Sequence, residues 1–277
     1  MAKVTTHKLQ KMKENGEKIS MTTAYDYPTA YFVDKAGIEI ILVGDSLAMT
    51  VLGHDSTVPV TMDEMLHHIR PVVKGAPNPL IVGDMPFGSY NVSKEQAIIN
   101  ANRLMKEGGC DVIKLEGGTE VAETVKAIVD AGIPVMGHIG LTPQTVSKMG
   151  GFKVQGKSAE AAQMLLDDAI ALEKAGAWGI VIEGVPEEVG KLITQKVSFI
   201  TIGIGGGRYC DGQVLVFHDM FGLFEKFLPK FAKQYANLGA EIVKGLEQFK
   251  AEVKEGKFPD DAHVFGGVKE EELKRLY

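Results

Sequence analysis

Eight short apolar runs, rich in β-branched residues, recur along this chain, and most are separated by stretches with the spacing of amphipathic helices. They are Lys18–Tyr25, Glu39–Asp45, Leu80–Asp84, Asp111–Glu116, Pro134–His138, Trp178–Glu183, Ser198–Ile204 and Val214–His218. Each run is almost continuously hydrophobic, the pattern of a parallel strand covered on both faces. The intervening stretches carry helix punctuation. Thr61 and Glu64, and again Ser93 and Gln96, stand at capping-box spacing, while Ala162, Leu165, Leu166, Ala169 and Leu172 form one stripe that ends before Gly176. Alternating strand and helix signals predict a parallel sheet, and eight units predict an α/β fold of the (β/α)8 TIM barrel type in a single domain over residues 1–277. The rival, an open doubly wound sheet, lacks its usual signature, because "TTAYDYPTA" after the first run contains no glycine. The eighth unit is the weak one: "GGGRYCDGQ" is too short for a full helix. The polar N-terminal segment is expected to cap the barrel bottom. A long final helix, Phe231–Gly256, is expected to pack outside the barrel or against another subunit.

Composition excludes several classes of function. With 277 residues, 45% hydrophobic and 24% charged, the chain can bury a full-sized core. The net charge of −6 is spread over interleaved acids and bases, with no basic stripe for nucleic acid or an anionic membrane, so a small-molecule enzyme is the better reading. Cys110 and Cys210 are the only cysteines and form neither a disulfide framework nor a Cys-x-x-Cys site. The N-terminal stretch is polar, unlike a signal peptide, and no apolar run approaches the roughly 20 residues of a membrane helix, so a cytoplasmic location is expected.

In a barrel the chemistry sits at the C-terminal ends of the strands. That rule collects Asp45 and Ser46 after the second run, Asp84 at the third, Lys114 and Glu116 on the fourth, His138 at the fifth and Glu183 at the sixth. Lys114 and Glu116 are two residues apart and share one face of their strand. Converging carboxylates repel each other, by roughly 4 kcal/mol per pair at about 4 Å and an effective dielectric near 20. Lys114 offsets part of this, and a hard divalent cation would offset more; with oxygen donors on offer, Mg2+ is the natural tenant. Gly44 and Gly83, each just before an acid, would allow a ligand or backbone to approach closely. A strand-end aspartate can instead be a helix cap or turn former, but acids at four strand ends speak against that role for all of them. His138 reads either as a structural histidine or as an additional site residue. The "GIGGG" at 203–207 reads as a phosphate loop or as a tight turn beside a bulky ligand, Tyr25 and Asp26 as rim residues, and His67–His68 and Glu187–Glu188 as solvated or interface positions. A carboxylate-bound Mg2+ suits a chelating 2-oxo acid whose neighbouring carbon loses a proton, which points to carbon–carbon bond chemistry.

The stretches "MTTAYDYPTA", "ILVGDSLAMTVLGHDSTVPVTMDEMLHHIRPV", "VGDMPFGSY", "VIKLEGG", "PVMGHIGLTPQ", "IVIEGVP" and "CDGQVLVFHDMFGL" strongly resemble the ketopantoate hydroxymethyltransferase family, in order and over nearly the whole chain. The resemblance implies transfer of a one-carbon unit from 5,10-methylenetetrahydrofolate to 3-methyl-2-oxobutanoate, giving 2-dehydropantoate on the route to pantothenate and coenzyme A. It also implies one Mg2+ per subunit and a homo-oligomer, a decamer built as a pentamer of dimers. Matched motif by motif, Asp45 and Asp84 would bind metal and substrate, Glu116 would complete the metal set, Lys114 and Ser46 would hold the oxo acid, and Glu183 would accept the proton. The chain departs from the family at "GIGGGRYCDG", where "GIGAG" and an acidic or polar pair are expected, so no pterin contacts are assigned there. Lyases of the phosphoenolpyruvate mutase and isocitrate lyase type are the nearest alternative, but their Lys-Lys-Cys-Gly-His motif is missing. A Schiff-base aldolase acting through Lys114 would need a depressed lysine, against the charge of the neighbouring acids. A non-catalytic scaffold barrel is the alternative from another class.

Overall fold

The computed structural model describes residues 2–276. Eight strands, all paired in parallel and in sequence order, close into a barrel: β1 Ile19–Thr23, β2 Ile40–Val43, β3 Leu80–Asp84, β4 Val112–Lys114, β5 Val135–Gly140, β6 Gly179–Glu183, β7 Ile200–Ile204 and β8 Gly212–Leu215. Seven of the eight predicted runs overlap their strands closely. The eighth is displaced: β8 starts earlier and ends at Leu215, because Phe217–Met220 turns into a short helix. The helices form where the capping residues predict. Thr61 and Glu64 make a reciprocal capping box at the start of Met62–Gly75, and Ser93 accepts from the Gln96 backbone N–H before Lys94–Arg103.

Two-residue alternation divides the core. Ile40 and Leu42, Leu80 and Val82, Val112, Met136, Val181, and Ile200 and Ile202 point inward and fill the barrel. Their neighbours Ile41, Val43, Ile81, Ile113, Val135, Ile180 and Ile182 point outward against helix residues such as Leu66, Ile69, Ile128, Leu172 and Ile193. The same parity extended to the strand ends turns Asp84, Lys114, Glu116, His138 and Glu183 toward the interior at the C-terminal rim. Gly83 falls on the outward parity. A Cβ there would meet Cys110 Sγ and Ile69 Cδ1, each at 3.1 Å, so this glycine serves strand–helix packing rather than ligand approach.

The opposite end of the barrel is plugged. Helix Thr6–Glu14 inserts Leu9, fully buried, into the interior cluster, and Lys13 Nζ donates to Phe199 O and reaches Asp211 Oδ2 at 3.0 Å. The final helix differs from expectation. It spans Leu238–Lys254, capped by Asn237, whose side chain accepts from Ala240 N; the segment around Phe231 is irregular and packs on the barrel interior. No residue of this helix is buried, and Leu238, Ile242, Leu246, Phe249 and Val253 present one uncovered apolar stripe. Among the described residues no helix is long and apolar enough to cross a membrane.

Candidate active site

A cavity of about 710 Å3 opens at the C-terminal rim and is lined by Asp45, Ser46, Asp84, Lys114, Glu116, His138 and Glu183. All seven residues singled out by strand-end reasoning therefore meet in one place. Five arrive by strand parity. Asp45 is out of phase with Ile40 and Leu42 and reaches the mouth because the chain turns after β2, with Leu47 N donating to Gly44 O at 3.1 Å. Gly44 makes room for that turn: a Cβ there would sit 3.0 Å from Ser46 Oγ.

The acids are buried and linked. Asp84 is 1% exposed, and both its oxygens accept from Lys114 Nζ, at 2.7 and 2.8 Å. Asp84 Oδ2 also accepts from the backbone N–H of Asp45 at 3.2 Å. Burial pushes Asp45 well above the ordinary aspartate value, and the Asp84 and Glu116 charges push it further. Burial raises Asp84 too, against the opposing pull of Lys114. Burial by itself would depress Lys114, but Asp84, Glu116 and Asp45 outweigh it and hold the ammonium above its usual value. A lysine so held is a charge, not a Schiff-base nucleophile.

His138 lies between two carboxylates. Its Nδ1 is 3.4 Å from Glu116 Oε1 and its Nε2 is 3.2 Å from Glu183 Oε2, both as ion-pair contacts whose angles fall short of hydrogen bonds. Burial and the Lys114 charge press its pKa down; Glu116 and Glu183 overcome both and lift it to about 9. Glu116 responds in kind. Burial would raise it, but His138, Lys114 and the Gln144 amide bring it below the ordinary glutamate value.

Two residues in the site escape strand-end reasoning. Gln144, 3% exposed in the short 3-10 turn Pro143–Thr145 after β5, donates from Nε2 to Asp45 Oδ2 at 2.9 Å and to Met85 O at 3.0 Å, and its backbone N–H donates to Glu116 Oε2 at 3.0 Å. Tyr90 OH donates to Gln144 Oε1 at 2.6 Å. One residue, through its side-chain amide and its backbone N–H, thus ties together the ends of three strands. The signal available was "LTPQ", a long polar side chain placed directly after a strand end.

Of the secondary candidates, Tyr25 is buried behind the site, its hydroxyl 2.7 Å from Ser46 Oγ, and Asp26 is the N-cap of helix Tyr27–Lys35. His68 is not solvated: its Nδ1 meets Tyr25 O at 2.7 Å. The glycine run is a tight turn. A Cβ on Gly206 would lie 2.6 Å from Ile182 O, and Arg208 turns outward to Glu187. Neither cysteine is a reactive thiol; both are buried, and burial pushes Cys110 up to about 12.

Solved structures share the barrel. A phosphonopyruvate hydrolase in complex with oxalate and Mg2+ superposes with a TM-score of 0.61 at 12% identity, covering 100% of this chain and 95% of its own. A 2,3-dimethylmalate lyase of the PEP mutase/isocitrate lyase superfamily gives 0.60 at 14% identity, covering 99% and 94%. At such identities the likeness is one of fold. Sequence relatives are much nearer. The 3-methyl-2-oxobutanoate hydroxymethyltransferase of Heliobacterium modesticaldum is 60% identical over 275 residues, 99% of each chain. That of Syntrophomonas wolfei is 56% identical over 277 residues, 100% of each. The family profile of ketopantoate hydroxymethyltransferase matches residues 3–261. With profile and relatives agreeing over nearly the full length, the chain belongs to the ketopantoate hydroxymethyltransferase family.

Proposed function

We propose that this chain moves a hydroxymethyl group from 5,10-methylenetetrahydrofolate to 3-methyl-2-oxobutanoate, giving 2-dehydropantoate for pantothenate synthesis. The observation that carries the chemistry is the pairing of Asp45 and Asp84 at the barrel mouth, both nearly inaccessible, with Lys114 bonded to Asp84 as a cation and only the neutral Gln144 amide bonded to Asp45. Two neighbouring buried carboxylates with raised proton affinity are a poor resting arrangement and a good donor set for a hard cation. The residues fit Mg2+ in chemistry, although among the described residues no three His, Cys, Asp or Glu side chains already close into a metal cluster. Asp45 and Asp84 would hold the ion, and Glu116, anchored by Gln144 N, completes the negative set. A bound Mg2+ supplies Lewis-acid polarisation of the 2-oxo group.

The remaining roles fall to the protein's own groups. Lys114 faces the oxygen on which negative charge develops, and its place on Asp84 keeps it there before substrate arrives. Ser46, oriented by Tyr25, donates to the oxo-acid carboxylate. Glu183, at the end of β6 and 13% exposed in its side chain, takes the proton from C3, and His138 orients it from behind. C3 then bonds to the one-carbon unit, and water furnishes the hydroxyl. The apolar stripe on Leu238–Lys254 supports self-assembly; a decamer, a pentamer of dimers, and a cytoplasmic location are carried over from the family resemblance. The test is deuterium exchange at C3 of 3-methyl-2-oxobutanoate without folate. Exchange should stop with EDTA and in Glu183→Gln, while Glu183→Gln still binds the oxo acid. Exchange indifferent to chelation, or loss of oxo-acid binding in that variant, overturns the assignment.

A further inference from the structure

Among the described residues, the only carboxylate on the cavity wall without any hydrogen-bond or ion-pair partner is that of Asp219. Asp219, in the short helix Phe217–Met220 after β8, is 6% exposed and lines the same cavity as the acid–lysine cluster. Among the described residues nothing donates a hydrogen bond to its carboxylate or pairs with it, and burial is the one influence acting on its proton affinity. A carboxylate withdrawn from bulk water without donors is costly. Its position on a cavity wall makes an incoming ligand the group that can satisfy it.

The rest of the cavity indicates which ligand. A five-carbon oxo acid seated at Lys114 fills only a fraction of about 710 Å3. The space that remains is walled by Phe152, Phe224, Phe227 and Phe231, and two exposed lysines, Lys153 and Lys230, also line it. The wall therefore offers a buried acceptor, aromatic surface and exposed cations. A molecule that matches carries a flat heterocycle with two adjacent N–H donors, an aromatic middle and an anionic end. A carboxylate takes two parallel N–H donors in a fork, the strongest neutral-to-anion recognition available to it.

We infer that Asp219 anchors the reduced folate co-substrate, accepting from the ring N3–H and the 2-amino group, with Lys153 and Lys230 meeting the anionic glutamate end. This rests on the transfer reaction proposed above and assigns that reaction's second substrate a place. It puts the pterin against the β8 side of the mouth, not at the 205–209 turn, where Arg208 and Tyr209 face helix Glu187–Lys196.

The test uses the full chain with its oxo acid, and tetrahydrofolate as the probe. In Asp219→Asn, tetrahydrofolate affinity measured by calorimetry should fall about 10- to 100-fold, as expected when a charged acceptor for two donors is removed. The C3 exchange reaction, which needs no folate, should persist. On the unaltered protein, a tetrahydrofolate analogue lacking the 2-amino group should bind weaker by a similar factor, a measurement that needs no variant to fold. The Asp219→Asn protein should not distinguish the two. Unchanged tetrahydrofolate affinity in Asp219→Asn, or equal discrimination between the ligands by both proteins, overturns the inference while leaving the transfer reaction standing. Failure of the unaltered protein to exchange C3 and to bind tetrahydrofolate overturns both.

Discussion

Replacing Asp219 with asparagine should make the protein more stable, and only when the solution is above the acid range. Burial lifts this carboxyl from 3.8 up to about 6. Below about 3.8 it is protonated in folded and unfolded chains alike and costs nothing. Between the two values the unfolded chain ionises first, so stability drains away as the pH rises; above about 6 the whole penalty stands. A difference of about 2 pH units at about 1.4 kcal/mol each gives about 3 kcal/mol. That is an upper bound, because the carboxylate borders an open cavity rather than being encased in protein. At about 2 °C per kcal/mol for a chain of this size, Asp219→Asn should melt up to about 6 °C higher at neutral pH. Thermal melts of both proteins from about pH 4 to about pH 8 should show a Tm gap that opens across the acid range and then levels. Tyr25, pushed up to about 12, stays protonated throughout, and His218, lowered by burial, titrates in both proteins and cancels in the comparison. A gap that is constant with pH, or a variant less stable at neutral pH, would refute the claim that this carboxylate is unpaired.

Other outcomes follow from the same geometry. Lys114→Met strands Asp84 without its cation, so we expect a loss of about 3–5 kcal/mol in urea unfolding together with loss of C3 exchange; a variant as stable as the parent would contradict the buried pair. Gln144→Leu removes the bonds to Asp45, Met85 O and Tyr90, and should lower the Tm by roughly 4–8 °C, at about 2–4 kcal/mol for buried partners left unsatisfied. Leu246→Asp combined with Phe249→Asp should reduce the mass measured by light scattering while leaving the far-ultraviolet circular dichroism unchanged, since neither side chain is buried within the chain. An unaltered mass would mean that the stripe does not join copies.

The barrel and most of its site were legible because two periodicities do the placing. Parity along β3 to β6 sends Asp84, Lys114, Glu116, His138 and Glu183 inward once their neighbours are assigned to the core. Asp45 follows no such rule and depends on a turn that a strand pattern does not encode. Gln144 and Tyr90 escape a periodicity argument because connecting segments have no period, and a neutral amide gives no charge pattern to follow. Asp219 could have been found, since it follows the eighth run directly. Extending that run to His218 concealed the helix that places Asp219 on the cavity wall. The final helix starts at Leu238, not at Phe231 as expected, because Phe231 is taken up by the barrel and the cap at Asn237 sets the start.

The plug at the foot of the barrel has a practical meaning. Leu9, the link from Lys13 to Asp211, and the reach of Lys18 to the Cys210 carbonyl lie at the opposite pole from the acid–lysine cluster at the cavity mouth. Part of the fold's rigidity is therefore held by residues that lie apart from the site. An engineer seeking heat tolerance can rework the sealed pole freely, and each gain there comes without detuning the chemistry above.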